Sequence, residues 1–255
     1  MKNIPENTPE AWIKSLPTKG RNMHKYNAGH ALVYGASKLT GASRLAAEAC
    51  ARTGVGLVTV LAQKNTGDIY RTSLPAHILV RDDMTYTNDK VTAKLYGPGG
   101  VSAKPDYTSS LPTILDADAL KDLPENLSEN FILTPHEGEF KRAFSHLNSN
   151  DRLEKARAAS QEKNCHIILK GPETIIAAPD GKAVINTHAS PWLASAGTGD
   201  VLAGLITGLV AQGMPIFEAC CAAVWIHGEC GIKSGPYLVA SDLINHIQKT
   251  LSEII

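Results

Sequence analysis

Apolar positions along this chain follow two periods. Short unbroken apolar runs, Ala31 to Gly35, Leu57 to Leu61, Ala76 to Val80, Thr113 to Leu115, Phe131 to Leu133 and Ile167 to Leu169, read as strands buried on both faces. Between them lie stretches of helical spacing near 42–53, 137–147 and 151–163. The last third reads as three helices, over 200–212, about 216–233 and about 240–253. Strand, helix, strand across 31–61 predicts a right-handed βαβ unit and hence a parallel sheet. Runs at 174–178 and 183–186, joined by Pro179-Asp180-Gly181, read as an edge hairpin. Residues 1–29 read as an N-terminal arm over 1–20 and a loop, with Trp12 and Ile13 docking on the domain. No repeat or linker interrupts the pattern. The economical fold is one α/β domain over 1–255 with a central, mostly parallel sheet.

The stretch 190–210 is the most informative. A small-residue turn, Ala196-Gly197-Thr198-Gly199, runs into Asp200 and then a helix. In that helix Val201, Leu202, Leu205, Ile206, Leu209 and Val210 share a face. Ala203, Gly204 and Gly208 lie between them and let another element approach closely. A glycine turn that opens a helix presents unpaired N–H groups and the positive end of the helix dipole, a site for phosphate. Asp200 beside such a site is either an N-terminal cap or a base that deprotonates a hydroxyl next to a phosphoryl group.

Further glycine-rich or polar segments follow the strands: Gly35-Ala-Ser and Gly41-Ala-Ser, Gly97-Pro98-Gly99-Gly100 after a weak strand, Asp116-Ala117-Asp118, Thr134-Pro135-His136-Glu137-Gly138-Glu139, and Lys170-Gly171-Pro172-Glu173-Thr174. Each has a structural reading as turn, cap or strand end. Together they fall on the carboxyl edge of the strands, where α/β sheets bind ligands.

Composition narrows the class. The chain has 255 residues, 43% of them apolar and 20% charged, enough for a full core. Lys plus Arg and Asp plus Glu number 25 each, with no basic run, so no nucleic-acid surface is expected. The five cysteines, Cys50, Cys165, Cys220, Cys221 and Cys230, include no C-x-x-C and fit reduced thiols in the cytoplasm. Neither a signal peptide nor a stretch long enough to span a membrane is read. Gly181-Lys182 is followed by Ala183 and lacks the leading glycine of a phosphate-binding P-loop. No G-x-G-x-x-G follows the first strand, and no G-x-S-x-G occurs. His227 and Cys230 share a helix face in an apolar segment and read as core packing.

The order HK, G-A-S, G-A-S, G-P-G, ILDADAL, ILTPHEGEF, ILKGPET, AGTGDVLAG resembles the ADP- or ATP-dependent NAD(P)H-hydrate dehydratases of the ribokinase-like superfamily, over roughly residues 20–250. The resemblance implies a three-layer α/β/α domain. It also implies phosphorylation of the C6 hydroxyl of NADHX or NADPHX, followed by elimination of phosphate to restore NADH or NADPH. Matched residue by residue, Lys170, Gly171, Pro172, Glu173, Thr174 and Gly199 bind the adenine nucleotide. Ala42, Gly99, His136 and Asp200 contact the hydrated substrate. Asp200 is catalytic, and Gly197, Thr198 and Gly199 form the anion hole. ADP or ATP is the co-substrate, with Mg²⁺ held by nucleotide and water. Similar proteins form tetramers, so a homo-oligomer is expected. The chain departs from the pattern at His24-Lys25-Tyr26, at the shortened Gly97–Gly100 loop and at Ser190-Pro191-Trp192-Leu193-Ala194. Two alternatives stay open: a vitamin or hydroxymethyl-pyrimidine type small-molecule kinase, and a nucleotide-binding protein without turnover.

Overall fold

The computed structural model describes residues 4–21 and 24–255. The first three residues of the expected arm, and the side chain of Tyr26, lie outside the described residues. The strands are β1 (His30–Tyr34), β2 (Leu57–Leu61), β3 (Leu79–Arg81), β4 (Ala93–Tyr96), β5 (Thr113–Leu115), β6 (Phe131–Leu133), β7 (His166–Leu169), β8 (Thr174–Ala177) and β9 (Ala183–Asn186). They form one sheet in the order β3-β2-β1-β4-β5-β6-β7-β8-β9. The first seven run parallel, and the hairpin β8–β9 is antiparallel to its neighbours.

The helices are α1 (Thr40–Arg52), α2 (Gly67–Ser73), α3 (Glu137–Ala143), α4 (Arg152–Lys163), α5 (Thr198–Ala211), α6 (Ile216–Ser234) and α7 (Ala240–Ile254). They cover both faces of the sheet and make three layers. Alternation along each strand explains the unbroken apolar runs. Ala31 and Val33 face one core with α1, α5, α6 and α7, while Leu32 and Tyr34 face the other with Phe140 and Phe144. Helix α5 is buried along nearly its whole length. It lies so close to α1 that a Cβ at Gly204 would overlap the carbonyl oxygen of Ala46. The small-residue stripe is what permits that contact.

Several expectations needed correction. The strand expected at 76–80 begins only at Leu79, because Ile78 donates its N–H back to Pro75 in a turn. Helix α2 was not expected; it is one short helix whose buried side chain is Tyr70. Helix α3 stops at Ala143, and Leu147 turns back to the Phe144 carbonyl. The arm docks as expected: Trp12 is buried and Ile13 half-buried. It also adds a parallel bridge from Glu6 to Ile185 on β9.

Candidate active site

Strand β1 lies between β2 and β4, so the chain reverses its direction of travel across the sheet there. Such a reversal opens a crevice at the carboxyl ends. Ser43 closes its floor, accepting from the Ala36 N–H at 2.8 Å and donating to the Pro98 carbonyl at 2.7 Å. A Cβ at Gly99 would stand 3.1 Å from the Cβ of Ala42. The two residues expected on the substrate side therefore adjoin one another.

Asp116 ends β5 and is 2% exposed. Its Oδ1 accepts from Thr134 Oγ1 at 2.6 Å and from Lys170 Nζ at 3.1 Å. Lys170 also stands 4.0 Å from Glu139. Its backbone N–H donates to the Pro135 carbonyl at 2.9 Å, which ties the end of β7 to the end of β6. His136 caps α3: its Nδ1 accepts from the N–H groups of Gly138 and Glu139, at 3.0 and 3.3 Å. That leaves the neutral ring with its proton on Nε2. Glu139 returns a bond to the His136 N–H at 2.8 Å, completing a capping box.

Gly197 has φ +89, the left-handed turn that lets α5 start abruptly. Thr198 Oγ1 donates to the carbonyls of Leu193 and Ser195 and is thereby locked. Among the described residues, the N–H groups of Gly199 and Asp200 have no backbone or side-chain acceptor. A Cβ at Gly199 would stand 3.3 Å from Lys170 Nζ, so the ammonium faces this same turn. Asp200 sits in the first turn of α5, and burial pushes its carboxyl up to about 7. Asp116 and Glu139 push the same way, and Lys170 opposes them. A carboxylate titrating there is matched to proton transfer at neutral pH.

A cavity of about 560 Å³ opens on the other side of the turn. Its walls are the 170–174 turn, residues 189–191, Leu193, Ala194, the start of α5 and the α6 residues Val224, His227 and Gly228. Of the residues expected to bind the nucleotide, Lys170, Gly171, Pro172, Thr174 and Gly199 line it, together with Thr198. Glu173 is not part of the lining; its carbonyl accepts from Arg152 Nη1 at 2.6 Å. His136, Ala42 and Gly99 lie outside this cavity. Of Ser190-Pro191-Trp192-Leu193-Ala194, where the chain departs from the family pattern, all but Trp192 line the cavity.

Two residues here escaped the sequence reading. His227, expected as core packing, is half-buried, lines the cavity, and its Nε2 bonds to the Thr198 carbonyl at 2.9 Å. Burial pushes it down to about 4, so it stays neutral. Arg152, at the start of α4, also donates to the carbonyls of Leu169 and Lys170 at 3.3 and 3.2 Å and to Glu137 at 3.3 Å. It holds the 170–174 turn from behind. Neither residue belongs to a local motif that a sequence could display.

A family model described as NAD(P)H-hydrate dehydratase matches residues 30–252. The bifunctional NAD(P)H-hydrate repair enzyme Nnr of Methanopyrus kandleri is 34% identical over 251 residues, covering 89% of this chain and 50% of that protein. The counterpart from Coxiella burnetii is 34% identical over 258 residues, covering 91% and 52%. The chain thus spans about half the length of the curated relatives it matches. Among solved structures, the ADP/ATP-dependent NAD(P)H-hydrate dehydratase of Bacillus subtilis, co-crystallised with ATP and Mg²⁺, superposes with a TM-score of 0.88. It is 29% identical, with 100% of both chains covered. A ribokinase-like superfamily protein from Enterococcus faecalis shares the fold at a TM-score of 0.86 and 24% identity, over 100% of this chain and 97% of that one.

Proposed function

The chain belongs to the NAD(P)H-hydrate dehydratase family, and from that premise we propose that it catalyses ADP- or ATP-dependent dehydration of NADHX and NADPHX. The observation that carries the proposal is the position of Asp200. It is a carboxylate with a raised pKa, at unpaired N–H groups, beside Asp116, Glu139 and Lys170 and next in sequence to the cavity residues Thr198 and Gly199.

In this reading the nucleotide lies in the cavity against Lys170, Gly171, Pro172 and Thr174, its terminal phosphate at the turn Gly197-Thr198-Gly199. Arg152 and Glu173 shape the turn without lining the cavity. The hydrated ring lies beyond Asp200, toward Ala42, Gly99 and His136. Asp200 takes the proton of the C6 hydroxyl as that oxygen attacks the terminal phosphorus and the nucleotide leaves. The N–H groups of the turn and the Lys170 ammonium hold the transferred oxygens. The C6–O bond then breaks with loss of phosphate, a proton leaves C5, and the C5–C6 double bond of the dihydronicotinamide returns.

Among the described residues no group of three or more ligating side chains is arranged for a metal ion. Three carboxylates, Asp116, Glu139 and Asp200, nevertheless surround one lysine. This acidic surplus fits a Mg²⁺ carried on the phosphates, which Asp116 and Glu139 would help to hold. When bound, it supplies charge neutralisation.

We further propose a single domain over 1–255, a cytoplasmic setting and a homo-oligomer, a tetramer by family resemblance. No described helix is long and apolar enough to cross a membrane. All five cysteines are free and buried. The exposed Trp192, Tyr237 and Val239 are suited to a subunit contact. The deciding experiment incubates the protein with NADHX and ADP or ATP. Growth of the reduced-nicotinamide absorbance with stoichiometric phosphate release is expected. Nucleotide consumption with a stable phosphate ester would instead identify a kinase, and binding without consumption a nucleotide sensor.

A further inference from the structure

One side chain outside the reacting set is aimed at the turn that opens α5. His227 projects from the middle of α6, and two glycines of that helix fix where it stands. A Cβ at Gly228 would overlap the His188 carbonyl oxygen, and one at Gly231 would stand 2.8 Å from the Leu193 side chain. Helix α6 therefore lies against the 188–193 segment, and the imidazole is carried to the start of α5. Smaller cavities, of about 520 Å³ beside Val101 and Tyr107 and about 330 Å³ around Glu129 and His166, lie elsewhere in the fold. The His227 ring lines the first, of about 560 Å³. Its Nε2 lies 2.9 Å from the Thr198 carbonyl oxygen. A carbonyl only accepts, so the ring donates its proton there. Burial keeps the ring neutral, and the Lys170 ammonium works in the same direction. The neutral ring has one N–H, and this bond uses it.

The acceptor gives this bond its consequence. The Thr198 carbonyl and the Gly199 N–H belong to one planar peptide unit. Among the described residues that N–H has no backbone or side-chain acceptor, and Gly199 lines the first cavity. A hydrogen bond accepted by the carbonyl polarises the whole unit and makes its N–H a stronger donor. It also fixes the plane of the peptide, and with it the direction in which the N–H points. Other bonds hold the neighbouring atoms. The Thr198 hydroxyl donates to the carbonyls of Leu193 and Ser195 at 2.8 and 2.9 Å, and the Gly197 carbonyl accepts from the Val201 N–H at 3.2 Å. These fix the Thr198 side chain and the peptide before it. His227 holds the peptide after it, from outside the helix. We propose that His227 is a positioning residue of the anion site: through the Thr198–Gly199 peptide it orients and polarises the Gly199 N–H toward the terminal phosphate of the nucleotide. The inference rests on the dehydratase reading for the placement of that phosphate at this turn.

Two variants separate the N–H from the ring that carries it. His227→Phe keeps a planar ring and loses the donor, while His227→Gln places an amide N–H near the position of Nε2. Calorimetry with Mg²⁺ present compares ADP and ATP with AMP, which lacks the terminal phosphate. Wild type is expected to bind ADP or ATP about tenfold or more tightly than AMP. In His227→Phe that ratio should fall about fivefold, the worth of one hydrogen bond. In His227→Gln it should stay near wild type. With NADHX as substrate, kcat should fall about tenfold in His227→Phe at an unchanged KM for NADHX, less than the roughly 10²–10³-fold of a lost oxyanion donor itself. His227→Gln should recover most of that loss. Thermal melts confirm that both variants are folded. No preference over AMP in wild type, or a ratio unmoved in folded His227→Phe, overturns the proposal. So does an equal loss in both variants, which would make the ring a packing element only. The expected ratios in a protein that fails to convert NADHX support the role of His227 and remove the dehydratase reading.

Discussion

At the scale of single residues, two roles compete for Asp200, and one substitution separates them. Asn caps a helix about as well as Asp, so a purely capping Asp200 predicts near wild-type turnover in Asp200→Asn. A base predicts a fall of about 10²–10⁴-fold. The raised carboxyl adds a second, independent readout. Between about pH 4 and pH 7 the folded chain keeps a proton that the unfolded chain has released, so wild-type stability falls as pH rises through that window. Asp200→Asn has no such dependence. Its Tm should match wild type near pH 4 and exceed it by on the order of a few degrees at pH 8; a Tm equal to wild type at both pH values would contradict the burial argument. The neighbours give the sign of a third prediction. Asp116→Asn removes a negative charge beside Asp200 and frees Lys170 to face it. Both effects lower the Asp200 pKa, so the ascending limb of kcat/KM against pH should move to lower pH. An unmoved or upward-shifted limb would separate the two carboxylates.

At the scale of elements, the strands were legible because burial on both faces leaves short, purely apolar runs. The turn into α5 was legible because few sequences place A-G-T-G-D before an apolar helix. Elements that depend on distant partners were not. Helix α2 has seven residues and one buried aromatic, too little for a period to register. Arg152 lies at the start of α4 as an ordinary charged residue, and its function appears only when the end of β7 folds over it. Its guanidinium reaches three carbonyls around the 170–174 turn, while Lys155 and Arg152 hold the Glu137 carboxylate below its usual range. Glu137 follows His136 directly, so one cluster joins the 170–174 turn to His136. Arg152→Ala should therefore weaken ADP binding roughly tenfold by loss of charge-assisted bonds. Calorimetry checks this, and unchanged affinity in a folded variant would show the turn to be self-supporting.

At the scale of the whole molecule, the two proposed ligand sites occupy two different irregularities of one sheet. The crevice at β1 and β4 arises where strand order reverses. The first cavity arises where the parallel run gives way to the hairpin β8–β9. Asp200 stands at the carboxyl edge because α5 starts there and runs back to the amino ends of β1 and β4, where the Ala211 carbonyl accepts from Thr92 Oγ1. The outer strand of that hairpin is itself held by the arm. Asn7 donates to Asn186, a residue of the cavity wall, at 2.9 Å and to the Cys221 carbonyl at 2.8 Å. Trp12 donates to Asn7 at 3.1 Å, and its ring lies 5.9 Å from that of Trp225. Trp225 in turn stacks at 4.6 Å on His188, next in sequence to the cavity residue Ala189.

This chain of contacts gives the protein a built-in optical gauge. Two indoles at the far edge of the sheet are wired to the first cavity through Asn7 and His188, while Trp192 lies between the cavity residues Pro191 and Leu193 in sequence. ADP should change tryptophan emission even in Trp192→Phe, where only the interior pair still fluoresces; silence in that variant would mean that arm and cavity do not communicate. The same wiring makes the N-terminal arm the wrong place to shorten the protein, because trimming it would blunt the signal and loosen the wall together.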